Sequence, residues 1–136
     1  MTSSSRSVLV IEDDHDLREL YVARLQGLGY SVRTAGTGGA GLDAALADPP
    51  ELVILDLVLP DMDGWEVARR LRANANTAAV PVLVASILED DEDEEVEISG
   101  YLVKPFGARE LRTIVTRIAG PATDEPDLGA DPEREG

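Results

Sequence analysis

Glu12, Asp13, Asp56, Ser86 and Lys104 are the residues of this chain whose types could do chemistry together. They are three carboxylates, a hydroxyl and the only lysine of the sequence. Clustered carboxylates repel one another and resist joint ionisation unless a cation neutralises them. Oxygen ligands suit a hard ion, and Mg²⁺ usually takes one or two carboxylates while keeping several waters. Asp13 and Asp56 are therefore expected as direct ligands, with Glu12 acting mostly through water. A carboxylate beside Mg²⁺ can also attack a phosphoryl group. The transferred group then needs positive charge and hydrogen-bond donors on its equatorial oxygens. Mg²⁺, the Lys104 ammonium and the Ser86 hydroxyl are expected to provide these. Taken singly, each residue has a blander reading as a cap, a turn hydroxyl or a solvated charge. The weight lies in their joint arrangement.

That arrangement depends on the elements before each residue. Ser7–Ile11, Leu52–Leu55 and Pro81–Ala85 are short apolar runs rich in Val, Ile and Leu, as strands buried on both faces require. Ser31–Ala35 and Gly100–Val103 read as two further strands. Helical spacing places Leu17, Leu20, Tyr21, Arg24 and Leu28 on one helix, capped by Asp14 and ended by Gly29. Further helices are expected over Ala40–Ala47, Trp65–Ala73 and Ala108–Ala119, the last with Leu111, Ile114, Val115 and Ile118 on one face. Repeated β-α units with apolar strands predict an α/β fold, a doubly wound parallel sheet with helices on both faces. Sites in such sheets form at the carboxyl ends of the strands. Glu12-Asp13-Asp14, Asp56, Ser86 and Lys104-Pro105 each follow one strand, so one sheet edge should gather them.

Composition narrows the function. The formal charge of −15 repels nucleic acid and anionic membranes. The acid is concentrated in two stretches. Residues 89–97 carry eight acids and no base, and residues 121–136 carry six acids and one arginine. The 136 residues include no cysteine and one histidine, His15, which excludes a thiolate zinc site or a multi-histidine metal site. No apolar stretch approaches the roughly 20 residues needed to span a bilayer, and no secretory leader pattern opens the chain. A cytoplasmic protein is expected.

The segments VLVIEDDHDLREL, ELVILDLVLPDMDGWEV, PVLVAS and GYLVKPF resemble the receiver domain of two-component response regulators. The resemblance spans residues 6–119. Residues 1–5 would be a flexible start and 120–136 an acidic, disordered tail. It implies a flavodoxin-like, CheY-like sheet of order 2-1-3-4-5. It also implies that Asp56 accepts a phosphoryl group from a sensor histidine kinase or a phosphotransfer protein. Glu12 and Asp13 would serve the Mg²⁺ site, and the Val58 backbone carbonyl would complete its protein ligands. Ser86 and Lys104 would close on the phosphoryl oxygens while Tyr101, the aromatic switch, turns inward. Pro105 stands at a position that is commonly cis. Such a protein is not an enzyme beyond its own phosphorylation and dephosphorylation. It signals to a downstream protein partner as a monomer or weak dimer, with no DNA-binding segment in view.

Two features depart from the family pattern. The stretch from Ser86 to Lys104 is short, and its ILEDDEDEEVEIS segment is a poor core-facing helix where the family has one. Ile87 stands where a small residue usually lines the approach to the aspartate, so it is expected to narrow access. Trp65 reads as packing and His15 as a solvated residue at a helix start. Asp61-Met62-Asp63-Gly64 lacks the spaced ligands of a calcium loop. Three alternatives stay open. The chain could be a pseudo-receiver that binds without phosphate switching, or a receiver cut from a longer regulator. A phosphatase of the haloacid dehalogenase type is disfavoured, because Asp56-Leu57-Val58 lacks its second acid.

Overall fold

A computed structural model describes residues 6–87 and 96–122. Its strands are the runs that hydropathy singles out: β1 (Ser7–Ile11), β2 (Ser31–Ala35), β3 (Leu52–Asp56), β4 (Val82–Ser86) and β5 (Gly100–Val103). Every residue of β3 and β4 is buried, whereas the edge strand β2 is mostly exposed or half-buried. All pairings are parallel, in the order β2-β1-β3-β4-β5. Four helices accompany them: α1 (His15–Gly27), α2 (Gly38–Ala47), α3 (Gly64–Ala73) and α4 (Ala108–Ala119).

The two-residue period of the strands divides the core. Leu9, Ile11, Val53, Leu55, Val82 and Val84 face α2 and α3, packing with Leu42, Val67 and Leu71. Val8, Val10, Leu52, Ile54, Leu83 and Ala85 face α1 and α4, packing with Tyr21, Leu25, Leu111 and Val115. The sheet is therefore wound on both faces, as expected.

Local details differ from the sequence reading where backbone and side chain disagree. β3 and β4 each run one residue further, since Asp56 pairs with Ala85 and Ser86 with Val103. The ladder continues although the side chains have turned polar. The helix α2 starts at Gly38, two residues early, because Thr37 Oγ1 accepts from the Ala40 N–H at 3.0 Å and caps it there. On α1 the buried stripe runs through Tyr21 and Leu25, and Leu20 is exposed. Leu17, Tyr21, Leu25 and Leu28 share one face at four-three spacing. Leu20 lies on its flank. Gly29 stops α1 as expected, at φ +101. Its N–H donates to Gln26 O at 2.9 Å and that of Tyr30 to Leu25 O at 3.1 Å, a left-handed helix stop.

The chain stays packed beyond the point where the tail was expected to begin. Ala122 is buried. Its carbonyl accepts from the Arg6 N–H at 2.6 Å, and the Tyr30 hydroxyl donates to Gly120 O at 2.5 Å. Val96, the apolar residue within the acidic stretch 89–97, is buried against the α2–α3 face. Residues 1–5, 88–95 and 123–136 lie outside the described residues, and with them most of that acidic stretch and of the tail. Among the described residues, no helix is long and apolar enough to cross a membrane.

Candidate functional site

Five parallel strands end on one edge, and β1 is the point from which the strand order runs both ways. Glu12 and Asp13 follow β1, Asp56 ends β3, Ser86 ends β4 and Lys104 follows β5. Carboxylate oxygens of Glu12, Asp13 and Asp56 lie within 4.8 Å of one another. Lys104 Nζ stands 2.8 Å from Glu12 Oε1 and 3.5 Å from Asp56 Oδ2. The edge thus brings acids and ammonium into one cleft.

Their surroundings are unequal. Glu12 and Asp56 are only 2% and 7% exposed, whereas Asp13 is open to solvent. Burial pushes the Glu12 carboxyl above the ordinary range, and the negative Asp56 adds to this. Hydrogen bonds from Lys104 and the Asp14 N–H pull the other way. A buried acid pair facing one ammonium still has more negative than positive charge. A hard cation between Asp13 and Asp56 relieves that excess, so the donor set fits Mg²⁺.

The expected residues stand as follows. Asp14 caps α1, accepting from the N–H groups of Asp16 and Leu17. His15 faces solvent, 3.4 Å from Glu19. Trp65 is buried in the α2–α3 core. The Val58 N–H donates to Asp56 Oδ1 at 3.2 Å, and its side chain is exposed. Ser86 is buried beside Lys104, whose N–H donates to Ser86 O at 2.8 Å. The Lys104–Pro105 peptide is cis. Tyr101 is half-buried against the α2–α3 core. Ile87 is exposed and shares a cleft of 340 Å³ with Leu17, Leu20, Lys104, Pro105 and Phe106.

Three supporting residues were not singled out from sequence. Arg18 reaches back from α1, and its Nη1 donates to Glu12 O at 2.8 Å and Asp13 O at 3.0 Å. It ties down the turn that carries both acids. Asp61 accepts from the N–H groups of Gly38 and Gly39, each at 2.8 Å, and so fastens the loop after β3 to the start of α2. Gly64 lies so near the end of β3 that a side chain would strike the Asp56 carbonyl. The only sequence signal was the Asp-Met-Asp-Gly turn itself.

Asp61 offers a pH test. Its two backbone hydrogen bonds hold its carboxyl below the usual range. A depressed folded value stabilises the fold above the unfolded pKa of about 3.9 and ceases to do so as pH falls through the folded value. Asp61→Ala is therefore expected to lower the urea midpoint at pH 7. The difference from wild type should shrink as the pH drops below about 4. A difference that persists unchanged at pH 2 would contradict this.

Residues 8–116 match the sequence profile of the response regulator receiver domain. The chain belongs to that family. The receiver is 34% identical over 115 residues to the transcriptional regulatory protein GltR of Pseudomonas aeruginosa, covering 82% of this chain and 48% of GltR. It spans about half the length of the curated relatives it matches. Its fold is similar to chemotaxis protein CheY4 of Vibrio cholerae (TM-score 0.80, 28% identity, covering 85% of the receiver and 99% of that chain). It is equally similar to the receiver domain of the sensor histidine kinase PA1611 from Pseudomonas aeruginosa, solved with magnesium in its active-site cleft (TM-score 0.79, 28% identity, covering 86% and 99%).

Proposed function

We propose that this receiver accepts a phosphoryl group on Asp56 from a histidine kinase or phosphotransfer protein. The observation that carries this reading is the setting of Asp56. It is a nearly buried carboxylate at a strand end, with an ammonium 3.5 Å away on one side and a backbone N–H 3.2 Å away on the other. In the step, the bond from the donor imidazole nitrogen to phosphorus breaks. A bond from an Asp56 carboxylate oxygen to phosphorus forms, and the nitrogen leaves with its electron pair. Lys104 and Ser86 face the transferred group and meet its new negative charge. Asp13, Asp56 and the Val58 carbonyl would hold Mg²⁺, with Glu12 acting through water, and the ion when bound neutralises charge on the transferred oxygens.

The donor has a seat of suitable chemistry. The cleft of Leu17, Leu20, Ile87, Pro105 and Phe106 opens beside Lys104 and is mainly apolar. A donor protein covering it would bring its imidazole to the rim of the site. Ile87 narrows that rim, so Ile87→Ala is expected to change the rate of transfer and of hydrolysis. Phosphorylation adds charge and acceptor oxygens at the ends of β3 and β4. Tyr101, on β5 beside β4, then shifts population and carries the change to a protein partner in the cytoplasm.

The test is incubation with acetyl phosphate. Stoichiometric phosphorylation with Mg²⁺, and none with excess chelator, is the expected outcome. A receiver that takes no phosphoryl group from acetyl phosphate or from any kinase, with Mg²⁺ present, would overturn the reading.

A further inference from the structure

The described arginines are not spread evenly, and three of them meet. Arg24 of α1 and Arg109 and Arg112 of α4 line a cleft of 330 Å³ with Leu28, Ala108 and Leu111. Arg24 Nη1 is buried there, and no group among the described residues accepts its hydrogen bond. A buried donor left unmade is costly, more so when charged. The amino end of α4 opens on the same cleft at Ala108 and adds partial positive charge. A cationic cleft in a chain of net charge −15 calls for a carboxylate.

The nearest supply follows Ala122. That residue packs against the end of α1: a side chain built on Gly29 would meet Ala122 Cβ at 3.1 Å. Leu28, next to Gly29, lines the cleft, and Arg24 lies one helical turn before it. Asp124, Glu125 and Asp127 come two to five residues after Ala122. Extended chain of that length reaches about 7–18 Å, enough to span one or two turns of helix. We propose that the cleft between α1 and α4 binds a carboxylate of residues 124–127 of the same chain, strapping the segment after Ala122 across both helices. This proposal is independent of phosphorylation.

The chain has no cysteine, so Leu128→Cys gives a single attachment point for a nitroxide spin label. With the ¹⁵N-labelled protein at low salt, amide signals of Arg24, Leu28, Arg109 and Arg112 should broaden selectively. The broadening should fall by at least half in Arg24→Gln/Arg109→Gln. It should do likewise in Asp124→Asn/Glu125→Gln/Asp127→Asn, whose changes lie outside the described fold. About 0.5 M salt should also weaken it, since exposed charges are then screened within a few ångströms. No selective broadening in the labelled wild type, or broadening unchanged in both variants, would overturn the proposal. So would broadening that appears undiminished when ¹⁵N-protein without the label is mixed with labelled unenriched protein, since that places a second copy in the cleft.

Discussion

Asp56→Asn is expected to reduce phosphoryl acceptance from acetyl phosphate to the level seen without protein. The amide has the shape of the carboxylate but neither its charge nor its nucleophilicity. The loss should be complete because no neighbouring acid is placed to replace it. Glu12 is buried and already binds Lys104 and the Asp14 N–H. Asp13 is exposed, on the loop after β1, away from the Val58 N–H that steadies Asp56. Unfolding would not explain the loss. Asp56 raises the Glu12 carboxyl by repulsion, so removing its charge relieves strain. Asp56→Asn should melt no lower than wild type, and its Glu12 carboxyl should titrate lower. Residual labelling at the wild-type rate would exclude Asp56 as the acceptor.

Gly64→Ala should produce the largest loss of stability. Its new Cβ would lie 2.4 Å from the Asp56 carbonyl oxygen and 2.6 Å from Leu57 Cα. Both are backbone atoms at the end of a buried central strand, and neither can swing aside as a flexible side chain can. The Gly64 N–H also donates to Leu57 O at 2.9 Å, which holds the two segments together. Forced overpacking of this kind costs about 2–3 kcal/mol. In a domain of this size that lowers Tm by about 10–20 °C, read by calorimetry. Because the displaced atoms belong to Asp56 and its neighbour, the labelling rate should fall as well. Gly27→Ala is the contrasting substitution. Nothing lies within 4 Å of its added Cβ, and alanine favours the helix, so Tm should rise. Equal effects of the two substitutions would contradict this account of Gly64.

The fold and the centre of the site were legible because they follow from local pattern. Apolar runs such as VLVI and LVIL can only be doubly covered strands, and a polar residue just past each run must stand on a common edge. The supporting residues follow from contacts distant along the chain, which periodicity does not encode. Asp61 meets Gly38 across 23 positions. Arg18 folds back on carbonyls rather than on acids, which charge pairing gives no reason to expect. Gly64 reads as a turn glycine, and only its closeness to β3 explains why it must lack a side chain. The errors on α1 have the same origin. Leu20 and Leu25 are equally apolar, and which of them faces the sheet depends on the rotation set by Tyr21 packing on Phe106, with rings 5.5 Å apart. Val96 stands in a stretch dominated by acids, and its burial depends on the α2–α3 face it meets.

The central claim is that Asp56 is the acceptor. An aspartyl phosphate is an acyl phosphate, which borohydride reduces to homoserine. Wild-type protein phosphorylated with Mg²⁺ present, then reduced and mapped by peptide mass spectrometry, should carry homoserine at position 56 and at no other acid. Homoserine at Asp13 or Glu12, or a label that borohydride leaves untouched, would contradict the account.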